Sequence, residues 1–193
     1  MNFPFHSVLK KCFGACPGLV IPVCAAIALI FFLAGPAAKA VEVDIDHAPP
    51  IEVFFSPNNG STDAIVREIE RARAEILVQA YSFTSEPIAR ALLKAHKRGI
   101  HVAVILDKSQ KTRKYSSATF LAHAGIPTFI DDKHAIAHNK IILVDRAVVI
   151  TGSFNFTKAA EEKNAENLLI IRSKELAKSY LENWHHHREH SAS

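Results

Sequence analysis

Residues 138–145 read HNKIILVD, and residues 152–155 read GSFN. Four apolar residues follow the His-x-Lys pair, which predicts a buried strand that begins with polar side chains. Side chains alternate across a strand, so His138 and Lys140 should project from one face, and Asp145 from the other. An ammonium beside an imidazole suits a phosphate, because lysine supplies positive charge and neutral histidine can attack phosphorus or move a proton.

The residues after this strand extend the same polar group. A second apolar run, residues 146–151, predicts the return strand and leads into Gly152. Ser153 and Asn155 are two positions apart and can place a hydroxyl and an amide beside the same phosphate. Asp145 faces away from the pair and is expected to support the fold rather than take part in the chemistry.

This pattern carries a family resemblance. His138-x-Lys140-x4-Asp145-x6-Gly152-Ser153 resembles the signature of the phospholipase D superfamily, whose members share a phosphodiesterase mechanism. Four stretches resemble the small, single-motif bacterial endonucleases of that superfamily: QAYSFTS at 79–85, RGIHV at 98–102, GSFNFT at 152–157 and NAEN at 164–167. The resemblance implies that Glu166 hydrogen-bonds the ring of the catalytic histidine. A carboxylate there would fix the tautomer and leave the other nitrogen free to attack.

The superfamily mechanism uses two histidines, whereas this chain has one His-x-Lys motif and no internal repeat. The resemblance therefore implies a homodimer with a shared active site on a two-fold axis. His138 of one subunit would attack phosphorus to give a phosphohistidine, while His138 of the other protonates the departing oxygen. Lys140, Ser153 and Asn155 would stabilise charge on the non-bridging oxygens. Neither a metal nor another cofactor is expected, and activity should survive EDTA.

The first forty residues differ from the remainder. Lys10 and Lys11 precede an uncharged run, residues 12–38, and Ala38-Lys39-Ala40 forms a small-x-small site. This pattern predicts a signal peptide over residues 1–40, with an uncleaved membrane anchor through 12–38 as the alternative. A linker is expected at 41–50 and a single domain at 51–193. The domain would be periplasmic or secreted, or attached to the inner membrane if the segment is not cleaved.

The positions of the cysteines and the net charge limit the kinds of site that the domain can contain. All three cysteines lie in the predicted signal segment, so the domain can have no disulfide, cysteine nucleophile or thiolate zinc site. The net charge of +4 falls to about +1 without that segment, which holds three lysines and no acid, so bulk charge does not drive nucleic-acid binding. Local basic stretches at 94–98 and 108–115 remain. In the second, the residues expected to contact substrate are Lys108, Lys111, Arg113, Lys114 and Tyr115. A solvated loop is the alternative for that stretch.

The domain predicts alternating strands and helices. Strands are expected at 51–55, 75–83, 101–106, 127–130, 138–144, 146–151 and 168–171, with helices at 61–73, 85–98 and 116–124 and a last helix from 173. This order favours an α/β fold, a layered α-β-α domain with a central mixed, mostly parallel sheet. His186 and His190 form an i, i+4 pair able to bind a metal, but a frayed, solvated tail is the preferred interpretation.

Three functions fit the sequence. The first is an exported, metal-independent endonuclease that cleaves DNA, and RNA as a further substrate, with little sequence preference. The second is a phospholipase D acting on phosphatidylcholine-type lipids, although the domain has no amphipathic surface helix. The third is a non-catalytic nucleic-acid-binding protein of the same fold, which the intact set of polar residues argues against.

Overall fold

The computed structural model describes residues 50–111 and 116–192. All of them belong to the larger of two units, Val41–Ser193. The predicted signal segment and all but the last residue of the predicted linker lie outside the described residues. Within the described ranges, no helix is both long enough and apolar enough to cross a membrane.

Strands and helices alternate along the described chain. The strands are β1 Ile51–Ser56, β2 Glu75–Ala80, β3 His101–Asp107, β4 Thr128–Asp131, β5 Lys140–Val144, β6 Val148–Gly152 and β7 Glu166–Ile171. The helices are α1 Ser61–Arg71, α2 Glu86–Lys97, α3 Ser117–His123, α4 Lys158–Glu162 and α5 Lys174–His190, with a 3₁₀ turn at Lys108–Gln110. These bounds lie close to those predicted from the sequence. One difference concerns the motif: β5 starts at Lys140, so His138 lies in the loop before the strand.

The strands form one mixed sheet, as predicted. Across the described residues its order is β1-β7-β6-β5-β2-β3-β4. Only β2–β3 and β3–β4 pair in parallel, whereas β1–β7, β7–β6, β6–β5 and β5–β2 are antiparallel. The expectation of a mostly parallel sheet was therefore wrong. A tight turn joins β5 to β6, with Asp145 and Arg146 both at φ 53°, and so short a connection can only join antiparallel neighbours.

Helices cover the sheet on both faces, which gives the predicted layers. On one face α1, α2, α3 and α4 enclose the larger core, which includes Phe83 and Phe156 with ring centroids 5.9 Å apart. On the other face α5 packs through Ala177 and Trp184, and the Trp184 indole donates to the Val78 carbonyl at 3.0 Å. β2 and β3 are covered on both faces, which explains their continuous apolar sequences.

The C-terminal helix does not fray, whereas a frayed, solvated tail was predicted. It continues to His190, and Ala192 then exchanges backbone hydrogen bonds of 2.8 and 3.0 Å with Ile130 of β4. The Arg188 guanidinium lies 3.5 Å from the centre of the Phe129 ring. Tertiary contacts with β4, which the sequence pattern does not report, therefore order the end of the chain.

Strand direction brings the polar residues to one edge of the sheet. The carboxyl ends of β1, β2, β3, β4 and β6 and the amino ends of β5 and β7 all lie along that edge. Lys140, Gly152 and Glu166 lie at these strand ends, and His138 and Ser153 lie in the adjoining loops. Residues far apart in sequence therefore share one surface.

Candidate active site

His138 and Lys140 form a pair at the amino end of β5. Lys140 Nζ lies 3.1 Å from His138 Nδ1 and donates to the His138 carbonyl oxygen at 2.8 Å. Lys140 is 7% exposed, whereas His138 is exposed to solvent. The ammonium is thus held in place beneath an imidazole that a substrate can reach.

Tyr81 lies against both His138 and Lys140, and it was not predicted from the sequence to be a site residue. Its ring centroid lies 4.5 Å from that of His138, at an interplanar angle of 51°, and 5.2 Å from Lys140 Nζ. The Tyr81 amide donates to the Asn139 carbonyl at 2.7 Å, which extends the β2–β5 pairing past the end of both strands. The ring limits the rotation of His138 and adds a favourable contact with the lysine charge.

The environment of Lys140 lowers the pKa of its ammonium group. Burial lowers the pKa of the Lys140 ammonium, and the negative charge of Glu166 partly offsets this by raising it. Lys140 and Glu166 project from the same face of the sheet, since Ile142 and Leu168, two residues further along their strands, both lie in the larger core. Glu166 therefore helps to keep the lysine charged.

Glu166 does not hydrogen-bond His138, contrary to what the resemblance implied. Among the described residues its hydrogen bond is with Asn164, whose Nδ2 donates to Glu166 Oε1 at 3.0 Å. The Nδ1 atom of His138 faces Lys140 instead. An ammonium can only donate, so Nδ1 is the acceptor and the neutral ring carries its proton on Nε2.

Gly152 and Ser153 stand where β6 meets β7. Gly152 has φ 149°, and a Cβ at this position would collide with the Asn167 carbonyl and crowd Leu168 Cα. The close approach allows Ser153 N to donate to Asn167 O at 3.1 Å, and Ser153 Oγ to accept from Asn167 N at 3.0 Å. Ser153 is exposed, so its hydroxyl proton remains available to a ligand.

Asn155 lies between two buried aromatic residues. Phe154 and Phe156 are 1% and 0% exposed, and the Phe156 carbonyl accepts from Thr84 N and Ser85 N at 2.9 and 2.8 Å. Asn155 Oδ1 is buried and has no hydrogen-bond partner among the described residues. Within the described residues, the carboxamide oxygen therefore makes no hydrogen bond that would stabilise the fold.

Asp145 stabilises the opposite end of β5. Its carboxylate accepts from the backbone N–H groups of Arg73, Ala74 and Glu75 at 2.9, 2.8 and 3.0 Å. Burial alone would raise the pKa of Asp145, but these hydrogen bonds outweigh it and lower the pKa. Asp145 joins the β5–β6 turn to the start of β2 and lies a full strand away from His138.

Asp107 positions the loop that carries His138, and no role was predicted for it from the sequence. It is 3% exposed, and its Oδ2 accepts from Ala137 N at 2.8 Å while Oδ1 accepts from Ser109 N at 2.9 Å. A polar residue directly after an apolar parallel strand is the signal that could have indicated this role.

The basic stretch is described only in part. Lys108 Nζ donates to the His134 carbonyl at 3.0 Å, four residues before His138, and Lys111 is exposed. Arg113, Lys114 and Tyr115 lie outside the described residues. The stretch thus begins next to the loop that carries the imidazole.

Comparison with known proteins identifies the family. Residues 65–188 match the family described as "Cardiolipin synthase, PLD-like domain". A phospholipase D of Rickettsia felis is 46% identical over 134 residues, which is 69% of this chain and 67% of that protein. The match spans about two thirds of the relative's length.

Two solved structures share the fold over nearly their whole length. Nuc from Salmonella typhimurium, a phospholipase D family member, has a TM-score of 0.70 and 39% identity, with 74% of this chain and 96% of that chain covered. NucT from Helicobacter pylori has a TM-score of 0.70 and 25% identity, with 75% and 98% covered.

Proposed function

Since the chain belongs to the phospholipase D superfamily, as a Nuc-type protein with a single His-x-Lys-x4-Asp motif, we propose that it is an exported, homodimeric endonuclease. Its substrate would be DNA, with RNA as a further substrate, and its chemistry would proceed through a phosphohistidine. The observation that carries this proposal is the exposed His138 held against the buried ammonium of Lys140. That pair can bind a phosphodiester and attack it without a metal ion.

Two copies of His138 divide the chemistry. The ring of one subunit attacks phosphorus, and the bond to the departing oxygen breaks as the other ring gives that oxygen its proton. The second ring then takes a proton from water, which attacks phosphorus and breaks the bond to histidine. Lys140, Ser153 and Asn155 stabilise the charge that develops on the phosphoryl oxygens.

The contact with Lys140 assigns a tautomer that fits one of these two roles. With Nδ1 accepting from the Lys140 ammonium, the neutral ring carries its proton on Nε2. As Nε2 gives this proton to the departing oxygen, Nδ1 takes one from Lys140, so that the ring stays neutral. The nucleophilic copy needs a bare Nε2, so its Nδ1 must donate its proton to an acceptor. Glu166 supports this role, because it lies close enough to influence the pKa of Lys140. In the nucleophilic copy His138 Nδ1 would donate to Glu166.

An apolar surface next to the site supports a dimer. Ile51, Val53 and Phe55 are 50%, 49% and 62% exposed and project from one face of β1, the edge strand of the sheet. Phe55 pairs with Asn167, next to Glu166, so this stripe reaches the edge where the site lies. The stripe projects from the face opposite to Lys140 and Glu166, since Phe54 between its residues packs on the larger core. A second copy of the chain placed on the stripe and across this edge would bury apolar surface and bring a second His138 towards the first.

The basic stretch favours nucleic acid as substrate. Lys108 contacts the loop before His138, and exposed Lys111 follows it. A polyanion bound at the imidazole could extend along these side chains, because phosphates repeat along its backbone. A lipid presents only one phosphodiester and would gain little from further positive charge.

Phospholipid cleavage is the second candidate. Relatives such as that of Rickettsia felis are named phospholipase D, and the same phosphate-binding residues would serve a lipid head group. Ile136 is 58% exposed, two residues before His138, and could contact an acyl chain or a membrane surface.

Incubation of the full-length chain with supercoiled plasmid or phosphatidylcholine vesicles, both in EDTA, distinguishes the candidates. We expect plasmid nicking without lipid turnover. His138→Ala should lower nicking at least about a hundredfold, because it removes both nucleophile and acid. His123→Ala, which changes an exposed histidine at the end of α3, should leave the rate unchanged. Lipid turnover without nicking would select the second candidate, and inertness towards both would contradict any catalytic role.

A further inference from the structure

Three histidine rings surround one buried carboxylate at the end of β4. Asp131 is the last residue of β4, and its side chain is fully buried. His134 follows in the loop, while His187 and His190 approach from α5. The four side chains present ligand atoms that all lie within 4.8 Å of one another.

The ring nitrogens converge on the Asp131 carboxylate. His187 Nδ1 lies 2.7 Å from Asp131 Oδ2, and His134 Nδ1 lies 3.0 Å from the same oxygen. His190 Nε2 lies 3.4 Å from Oδ1 and is buried, yet it makes no hydrogen bond among the described residues. A carboxylate already bonded by two rings does not require a third, and the unpartnered nitrogen of His190 points into the same space.

We propose that Asp131, His134, His187 and His190 bind one divalent transition-metal ion of the Zn²⁺ type. Three imidazoles and one carboxylate are a tetrahedral ligand set that zinc accepts, whereas Mg²⁺ and Ca²⁺ prefer oxygen ligands. Zinc bonds of about 2.0–2.1 Å place tetrahedral ligand atoms about 3.3–3.5 Å apart. The separations between Asp131 and the rings, 2.7 to 3.4 Å, are close to this value. Small side-chain rotations would admit the ion.

The site is separate from the phosphodiesterase site and has a structural role. Strands β3 and β2 lie between β4 and β5, so three strand spacings, about 14 Å, separate Asp131 from the strand of Lys140. Four protein ligands leave no open position for a substrate. The ion would clamp the end of α5 to β4.

The histidine pair is not the one that the sequence suggested. His186 and His190 have i, i+4 spacing, but the His186 side chain is 70% exposed and its nitrogen faces Glu189 at 4.0 Å. His187 and His190, three residues apart, are 12% and 14% exposed and face Asp131. His186 therefore provides a matched control on the same helix.

Zinc titration of the full-length chain, purified without a histidine tag and stripped of metal, tests the proposal. We expect one Zn²⁺ per chain by metal analysis and calorimetry, and a higher Tm when zinc is bound. His190→Ala and His134→Ala should weaken binding at least tenfold, and His134 is 44% exposed, so its loss should not prevent folding. His186→Ala should bind zinc as the unchanged chain does, and so should His138→Ala, which separates this site from catalysis.

Three results would overturn the proposal. The first is no zinc bound by the unchanged chain, and the second is a His134→Ala chain, folded by circular dichroism, that binds zinc equally well. The third is equal loss in His186→Ala and His190→Ala, which would assign binding to the i, i+4 pair of these two histidines. Cobalt(II) gives an independent readout, since a tetrahedral N₃O site produces intense visible absorption that His190→Ala should abolish.

Discussion

At the scale of single residues, the site combines a buried cation with an exposed base. Lys140 is buried, whereas His138 beside it is exposed to solvent. Burial destabilises the charged form of Lys140, and the negative charge of Glu166 partly offsets this effect. The strength of the phosphate site should therefore depend on pH through Lys140.

We predict that, as the pH rises, activity is lost at a lower pH than it would be if Lys140 were fully exposed to solvent. The pKa of Lys140 is lowered, so its ammonium is present below that pKa and lost as the pH rises through it. Glu166→Gln removes the charge that raises this pKa, so the alkaline limb of the kcat/KM profile should move to lower pH. Glu162→Gln, at an acid paired with Lys158 at 3.5 Å, is the control and should not move it. An unchanged or upward-shifted limb in Glu166→Gln would contradict this coupling.

At the scale of elements, the start of α1 depends on a residue a hundred positions later in the chain. Gly60 occupies the N-cap, and it has no side chain to accept a bond. The Glu161 carboxylate takes that role: Oε1 accepts from Gly60 N at 3.2 Å and Oε2 from Thr62 N at 2.7 Å. The short helix α4 thereby connects to the amino end of α1.

Glu161→Ala should lower the free energy of unfolding by about 1–2 kcal/mol, the usual value of a lost helix cap with a favourable charge. Urea denaturation measures this difference. Glu162→Ala is the neighbouring control and should cost less than about 0.5 kcal/mol, because its partner Lys158 is largely exposed. Equal losses in the two variants would mean that the cap contributes nothing beyond an ordinary surface charge.

At the scale of the whole molecule, the proposed chemistry requires two subunits. Each chain supplies one His138, and the apolar stripe Ile51, Val53 and Phe55 is the surface that we assign to the contact. A charge introduced there should separate the subunits without disturbing the core, since all three side chains are about half exposed or more. Phe55→Glu should therefore yield a folded monomer that does not cleave.

Mixed dimers provide the quantitative test. If both histidines are needed, co-expression of unchanged and His138→Ala chains at equal levels should leave about one quarter of the activity, because only unmixed dimers of the unchanged chain are active. Independent subunits would leave about one half. A value near one half, or full activity in a Phe55→Glu monomer, would contradict the shared site.

The sequence by itself determined the elements and the family of the motif. Local patterns are enough for this: four apolar residues after His138-x-Lys140 indicate a buried strand, and Gly99 and Gly125 end their helices with positive φ. The spacing of the motif also led to the correct family. These features depend on residues within a few positions of one another.

Only the tertiary structure decided which distant residues meet. Antiparallel pairing of β5 with β2 brings Tyr81 against His138, and the packing of α5 on β4 brings His187, 56 positions along the chain, to Asp131. The hydrogen-bond partner of Glu166 also differs from the one that the resemblance implied, since the neighbouring Asn164 donates to its carboxylate. Hydrophobic periodicity specifies which face of an element is buried but not which element covers it, so long-range contacts are settled only when the whole chain packs.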